Sequence, residues 1–159
     1  MTLRLLAIAV THSRIGYVFH IGGHLADWHI SERATKSAEK AAAWMQRLID
    51  DLRPDVVVTE KPELAKKKGL KTKVLIEVIA RVAANNEVLD VSVARSQEFA
   101  NKYEEAAALA VQYPELRPWV PQKRRFFDNE PRTTVLFEAL ALARIILEGQ
   151  QPEGVAVSA

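Results

Sequence analysis

Residues 54 to 61, Pro-Asp-Val-Val-Val-Thr-Glu-Lys, decide the fold of this chain. Three consecutive β-branched residues without polar alternation predict an interior strand over residues 55 to 60 that is covered on both faces, and Pro54 marks its start. Glu60 then lies at the carboxyl end of that strand. Because ligands of open α/β sheets bind at the carboxyl edge, this glutamate is a candidate functional residue.

Lysines crowd the segment that follows this strand. A polyanion would neutralise such a cluster, which makes the segment a candidate phosphate-binding surface. The alternative is an ordinary solvated face, which is the commoner role of a lysine run. The six lysines are Lys61, Lys66, Lys67, Lys68, Lys71 and Lys73.

The composition indicates one ordinary globular domain. The chain has 159 residues, of which 48% are apolar, and its net charge is +2. It contains no cysteine, which excludes disulfides, cysteine-ligated metals and thiol chemistry. We expect one domain over residues 1–149 and a frayed tail over 150–159. We also expect no membrane partner and a cytoplasmic location, because the apolar run near the N-terminus is too short to span a bilayer.

The order of predicted elements is strand-rich first and alternating later. Apolar runs at 3–10, 16–21 and 24–30 predict a three-stranded meander, with Gly22 and Gly23 forming a hairpin turn. Helical periodicity over 35–52 precedes the strand that carries Glu60. A helix over 73–84, a strand over 88–93, a helix from an N-cap at Ser96 to about Gln112, a proline-rich loop and a helix from Pro131 to Gly149 complete the chain.

This order, together with three local sequences, resembles the RuvC branch of the ribonuclease H-like superfamily, the Holliday-junction resolvases. Residues 5 to 17, Leu-Leu-Ala-Ile-Ala-Val-Thr-His-Ser-Arg-Ile-Gly-Tyr, are similar to the opening strand and turn of that family. The strand that ends in Glu60 resembles the one with the second catalytic acid. Residues 136 to 143, Leu-Phe-Glu-Ala-Leu-Ala-Leu-Ala, resemble the last helix and place Glu138 at a metal-binding position. The resemblance implies an α/β three-layer fold with a mixed five-stranded sheet flanked by helices.

The resemblance also implies a catalytic centre that uses Mg²⁺ or Mn²⁺. Phosphodiester hydrolysis by two metal ions requires several converging carboxylates, and Glu60 and Glu138 fit that requirement. The chain departs from the family at two other acid positions, where it has Ala9 and Val135. Asp128 is a candidate replacement metal ligand, as is Thr11. His12, just after the first strand, is a candidate ligand or general base, against the alternative of a loop histidine without a role.

A second basic segment precedes the last helix. Residues 122 to 127, Gln-Lys-Arg-Arg-Phe-Phe, interleave arginine with aromatic residues, a composition that suits phosphate binding and base stacking. The alternative is a hydrophobic lid over the core. On the functional interpretation, the residues that bind phosphates are Lys66, Lys67, Lys68, Lys71, Arg124 and Arg125.

The sequence therefore predicts a RuvC-like protein that binds DNA or RNA, with branched or structured DNA as the expected substrate and a homodimer as the expected assembly. The resemblance implies a metal-dependent endonuclease with Glu60, Glu138 and His12 as catalytic residues. Two alternatives stay open, since a fold does not fix a function: an inactive scaffold for protein interactions, and an enzyme acting on a small phosphorylated metabolite.

Overall fold

The computed structural model describes residues 2–65, 67–95, 101–121 and 131–149. The predicted α/β architecture, a mixed five-stranded sheet flanked by helices, is confirmed. The strands are β1 (Arg4–Val10), β2 (Ile15–Ile21), β3 (His24–Ser31), β4 (Val56–Glu60) and β5 (Leu89–Val93); the α-helices are α1 (Ala38–Leu52), α2 (Leu70–Ala84), α3 (Lys102–Gln112) and α4 (Thr134–Gly149).

The strand order across the sheet is β3-β2-β1-β4-β5. β1 pairs antiparallel with β2, and β2 pairs antiparallel with β3, which produces the predicted meander. β4 lies between β1 and β5 and is parallel to both, as its run of three valines, Val56 to Val58, predicts. The carboxyl ends of β1, β3, β4 and β5 therefore lie at the same edge of the sheet, which we call the carboxyl edge.

Helices cover both faces of the sheet. Alternate residues of β1, beginning at Leu5, pack with α3 and α4, and the residues between them, beginning at Leu6, pack with α1 and α2. In β4, Val56 and Val58 face α3 and α4, whereas Val57 faces α1 and α2. Because side chains of a strand alternate between faces, Glu60 belongs to the face that α4 covers.

The structure corrects several predicted boundaries. α3 begins at Lys102 and not after Ser96, because the side chain of Asn101 accepts hydrogen bonds from the amides of Tyr103 and Glu104 and so caps the helix. Ser96 itself lies outside the described residues. The other helices also begin elsewhere than predicted: α1 at Ala38, α2 at Leu70 and α4 at Thr134, against predicted starts at residues 35, 73 and 131.

The connections that the structure describes contain three short 3-10 helices, at Arg33–Thr35, Pro62–Leu64 and Pro114–Trp119. The last of them occupies part of the predicted proline-rich loop and buries Leu116 in the core. The expected tail, residues 150–159, lies outside the described residues. None of the helices in the described part of the chain is both long and apolar enough to cross a bilayer.

Candidate functional site: a lysine held between two carboxylates

Glu60 is the last residue of β4 and is 7% exposed. The strand that delivers it is buried at every position, because its side chains meet helices on both faces of the sheet. The backbone of the next residue, Lys61, donates a hydrogen bond to the carbonyl of Val93 and continues the pairing with β5. The carboxylate of Glu60 is thus fixed at the carboxyl edge by an interior strand.

Glu138 lies in the second turn of α4 and is 9% exposed. A close approach between α4 and β2 fixes its height above the sheet. A Cβ atom built on Gly16 would lie 2.9 Å from Cγ1 of Val135, so only glycine allows this packing without a shift. Val135 is 1% exposed and belongs to the hydrophobic core, at a position where the resemblance implied an acid.

The ammonium of Lys68 lies between these two glutamates. Its Nζ is 3.0 Å from Oε1 of Glu60 and 3.0 Å from Oε1 of Glu138. It also donates to the backbone carbonyl of Val10, at 2.7 Å, at the end of β1. An ammonium has three N–H donors, and here each has an acceptor. Since both carboxylate oxygens touch one nitrogen, they are at most twice that contact distance apart.

The two carboxylates stabilise the charged form of Lys68. Burial acts to lower the pKa of Lys68, but the negative charges of Glu138 and Glu60 and their hydrogen bonds outweigh it, so the pKa lies above the usual lysine value. The side chains of all three residues are mostly buried, with 18% exposure for Lys68, 9% for Glu60 and 11% for Glu138. The lysine therefore remains charged at neutral pH and serves as the counter-ion of both acids.

The residues present do not fit a two-metal centre. The parallel register pairs Ala7 with Val58, and two residues further along both strands Ala9 is level with Glu60 on the same face. The resemblance implies further acids at positions 9 and 135, but both side chains there are small, apolar and buried. Within the described ranges, no group of three or more histidine, aspartate or glutamate side chains could hold a metal ion. The predicted ligand Asp128 lies outside those ranges.

The other predicted site residues have different surroundings. His12 is exposed in the turn between β1 and β2, and the contacts of Lys68 do not include it. The neighbouring Thr11 hydroxyl donates to the carbonyl of Arg14 within the same turn. Lys67 and Lys71 are exposed near the start of α2. Lys66, Arg124 and Arg125 lie outside the described residues, so their phosphate-binding role stays a prediction.

A cluster at the same edge was missed from the sequence. Nε of Arg14 and Nε of Arg132 each lie 3.3 Å from Oε2 of Glu32, just after β3. Hydrogen bonds from Arg14 and Arg132 lower the pKa of this exposed carboxyl. The cluster connects the turn after β1, the end of β3 and the segment before α4. No local pattern marks it, because Arg132 and its partner Glu32 are 100 positions apart.

The orientation of Lys68 was also missed, although one signal pointed to it. The sequence lacks acids at positions 9 and 135 but keeps Glu60 and Glu138, and buried carboxylates require a compensating cation. The lysine run in the loop after β4 is the nearest source of one. Because the run was interpreted as a uniform surface, the inward orientation of Lys68 was not predicted.

Comparison with known proteins shows the fold of the chain. No protein-family model matches it, and no curated protein sequence matches it significantly. Among solved structures it is similar to RuvC of Thermus thermophilus, with a TM-score of 0.51, 11% identity, and coverage of 90% of this chain and 96% of that one. T. thermophilus RuvC in complex with a Holliday junction substrate gives a TM-score of 0.55 at 12% identity, covering 93% and 97%.

A third similar structure is Ydc2, the yeast mitochondrial Holliday junction resolvase, with a TM-score of 0.50, 12% identity, and coverage of 93% of this chain and 83% of that one. At these identities the similarity shows the fold alone: the chain has a ribonuclease H-like fold. Within that class its architecture is RuvC-like, in agreement with the resemblance found in its sequence.

Proposed function

We propose that this chain is a RuvC-like protein that binds branched or otherwise structured DNA through its carboxyl edge and does not cleave it by a two-metal mechanism. The binding half of the proposal is supported by the fold, because one of the similar structures is a complex with a Holliday junction. It is also supported by the exposed cations Lys67 and Lys71 beside Glu60.

One observation carries the second half of the proposal: the ammonium of Lys68 lies where Glu60 and Glu138 converge. A hydrolytic centre of this type needs two divalent ions about 4 Å apart, held by several carboxylates. Here two carboxylates already have a monovalent partner with all its donors in use. A buried ion pair of this kind strongly resists loss of one member, because the remaining charges would be left unpaired.

DNA binding by this surface should not require a divalent metal. In the proposed complex, the phosphates contact Lys67 and Lys71, together with Lys66, Arg124 and Arg125 as the sequence predicts. Each phosphate contact adds about 0.9 to the slope of log affinity against log salt for duplex DNA. The protein should therefore bind a four-way junction in EDTA with a steep salt dependence.

The test compares three labelled DNAs, a four-way junction, a duplex and a single strand, by fluorescence anisotropy in EDTA over a salt series. The variants Lys67→Gln and Lys71→Gln should each flatten the slope by about 0.9. Arg81→Gln is the matched control, because Arg81 is exposed in the last turn of α2, away from the carboxyl edge. Binding that is absent, or insensitive to salt, would support the scaffold alternative.

A metal-dependent endonuclease is the second candidate, favoured by the convergence of Glu60 and Glu138. In this candidate Glu60 and Glu138, with Asp128 and His12 as the sequence predicts, would hold Mg²⁺ or Mn²⁺ in place of the Lys68 ammonium. Incubation of the junction with each metal distinguishes the two candidates. Cleavage by the wild type that Glu60→Gln abolishes would establish the nuclease and refute the binding-only proposal.

The proposed assembly is a homodimer, as the resemblance implies. Sedimentation velocity with and without the junction measures it directly. A monomer in both conditions would reject the dimer and leave the DNA-binding proposal in place, since the exposed cations belong to one chain.

A further inference from the structure

A second basic surface lies along the start of α1, outside the residues assigned above. It is a groove of about 580 Å³ between the end of β3 and the first half of α1. Its lining includes four exposed cations and no acid, and one wall is the half-buried indole of Trp44. The cations are Arg33, Lys36, Lys40 and Arg47.

The groove is held in shape by its own anchors. The Thr35 hydroxyl is 2.9 Å from the carbonyl of Glu32 and 3.2 Å from that of Ser13, and the hydroxyl of Ser31 accepts from the amide of Ala34. Ala34 and Thr35 are buried, so the short helix that carries Arg33 is pinned to the sheet. On the opposite wall, the ring of Trp44 packs 6.2 Å from that of Tyr17. The cations thus project from a fixed frame.

The charges of the groove have no internal partners. None of the four cations forms an ion pair with a residue in the part of the chain that the structure describes. Of the acids adjacent to these cations in sequence, Glu32 is already paired with Arg14 and Arg132, and Glu39 does not line the groove. Four cations that form no ion pair with the described residues line one concave surface and create a local positive potential there, although the net charge of the chain is only +2.

The position of the groove relates it to the candidate site. β3 and β4 run in the same direction, and α1 follows β3 as α2 follows β4, so both helices begin near the carboxyl edge. Lys40 and Arg47 are seven residues apart and share one face of α1, a separation of roughly 10 Å along its axis. In a duplex the phosphates of one strand are spaced about 3.4 Å along the axis, so that length would face about three phosphates of a strand stacked as in a duplex, and fewer of an extended one.

We propose that this groove binds a nucleic-acid strand that leads away from the carboxyl edge, with phosphates on Lys36, Lys40 and Arg47 and a base against Trp44. The inference rests on the proposed function. It adds a second contact region, at the start of α1, to the one near the start of α2. The aromatic wall favours an unpaired strand, because a base is free to stack only when it is not enclosed in a duplex. The phosphate contacts set affinity, and the indole contact adds sequence-tolerant stacking.

The test uses a labelled single-stranded oligonucleotide in EDTA with the full chain. Lys40→Gln and Arg47→Gln should each flatten the log affinity against log salt slope by about 0.7, which corresponds to roughly fivefold weaker binding per cation at 0.1 M salt. Arg81→Gln removes one positive charge elsewhere and should leave the slope unchanged. Trp44→Phe should keep the slope but remove a measurable part of the tryptophan quenching that the oligonucleotide causes.

The outcomes separate this inference from the proposed function. If Lys67→Gln weakens binding while Lys40→Gln and Arg47→Gln behave like Arg81→Gln, the groove inference is refuted and the proposed function stands. If the wild type binds no DNA, the proposed function fails and the groove has no strand to accept. Displacement of the oligonucleotide by polyglutamate as effectively as by unlabelled oligonucleotide would show that the groove recognises acidic proteins, which also overturns the inference.

Discussion

Replacing Lys68 with methionine should destabilise the protein by about 3 to 5 kcal/mol at pH 7.5. Methionine keeps most of the volume of the lysine side chain but removes the charge that touches Glu60 and Glu138. Each ion pair, at 3.0 Å, contributes an attraction of about 5 kcal/mol at an effective dielectric constant near 20. The cost of burying the ammonium offsets part of that sum, and mutual repulsion of the two uncovered carboxylates adds to the loss.

The assay is urea unfolding in EDTA, with Lys67→Met as the control, because Lys67 is the exposed neighbour in the same loop. The control should change the unfolding free energy by less than about 0.5 kcal/mol. Because the pKa of Lys68 is raised in the folded state, its contribution to stability is complete below the usual lysine range and is lost at higher pH.

Metal gives a second measurement on the same variant. Once the ammonium is gone, Mn²⁺ is a substitute counter-ion for two facing carboxylates, so it should raise the Tm of Lys68→Met and leave that of the wild type unchanged. Equal stability of Lys68→Met and Lys67→Met, or an equal Mn²⁺ effect on the wild type and on Lys68→Met, would refute the counter-ion role. If Lys68→Met does not fold, Lys68→Arg keeps the charge with a different shape and should lose less stability than any neutral variant that can be purified.

Three further predictions follow from buried groups. His20 is fully buried without a hydrogen-bond partner in the described residues, and burial lowers its pKa to about 4. Because the unfolded chain binds the proton more tightly, the free energy of unfolding should fall by up to about 3 kcal/mol as the pH drops from 6.5 to 4. His20→Phe should remove that part of the pH dependence, measured by urea unfolding at a series of pH values. Gly16→Ala should cost about 1 to 3 kcal/mol in urea unfolding and be partly rescued by Val135→Ala, whereas an additive double variant would contradict the contact between them. Ala9→Asp should lower the Tm on its own, because it buries a carboxylate beside Glu60. Combined with Lys68→Ala, it should gain Mg²⁺-dependent cleavage of a four-way junction. If calorimetry detects no metal binding by the double variant, position 9 does not complete a ligand set.

The strand that ends in Glu60 was predictable because its stability depends on its own side chains. Val56, Val57 and Val58 suit an interior strand in any sheet, and Glu60 follows them by alternation onto the face of α4. The RuvC-like fold was implied by the resemblance of three local sequences to a known family, whereas the order of elements and the meander followed from local patterns. These features rest on period and composition, which a sequence displays directly.

The arrangement of the site was less predictable, since it depends on contacts between distant segments. Lys68 reaches Glu138 across 70 positions, and nothing in its neighbourhood distinguishes it from Lys67. The predicted start of α3 was wrong for a related reason. Both Ser96 and Asn101 are good N-cap residues, and only the packed structure selects Asn101.

The trio formed by Lys68, Ala9 and Val135 limits how this sequence can change over time. A new acid at position 9 or 135 would be buried beside two glutamates that share one cation. Loss of the lysine alone would leave the two glutamates to repel each other without a counter-ion. Each single step is therefore costly, and only coordinated replacement reaches a set of four acids. Once this arrangement is present, selection for stability alone therefore retains the lysine, whether or not the chain binds DNA.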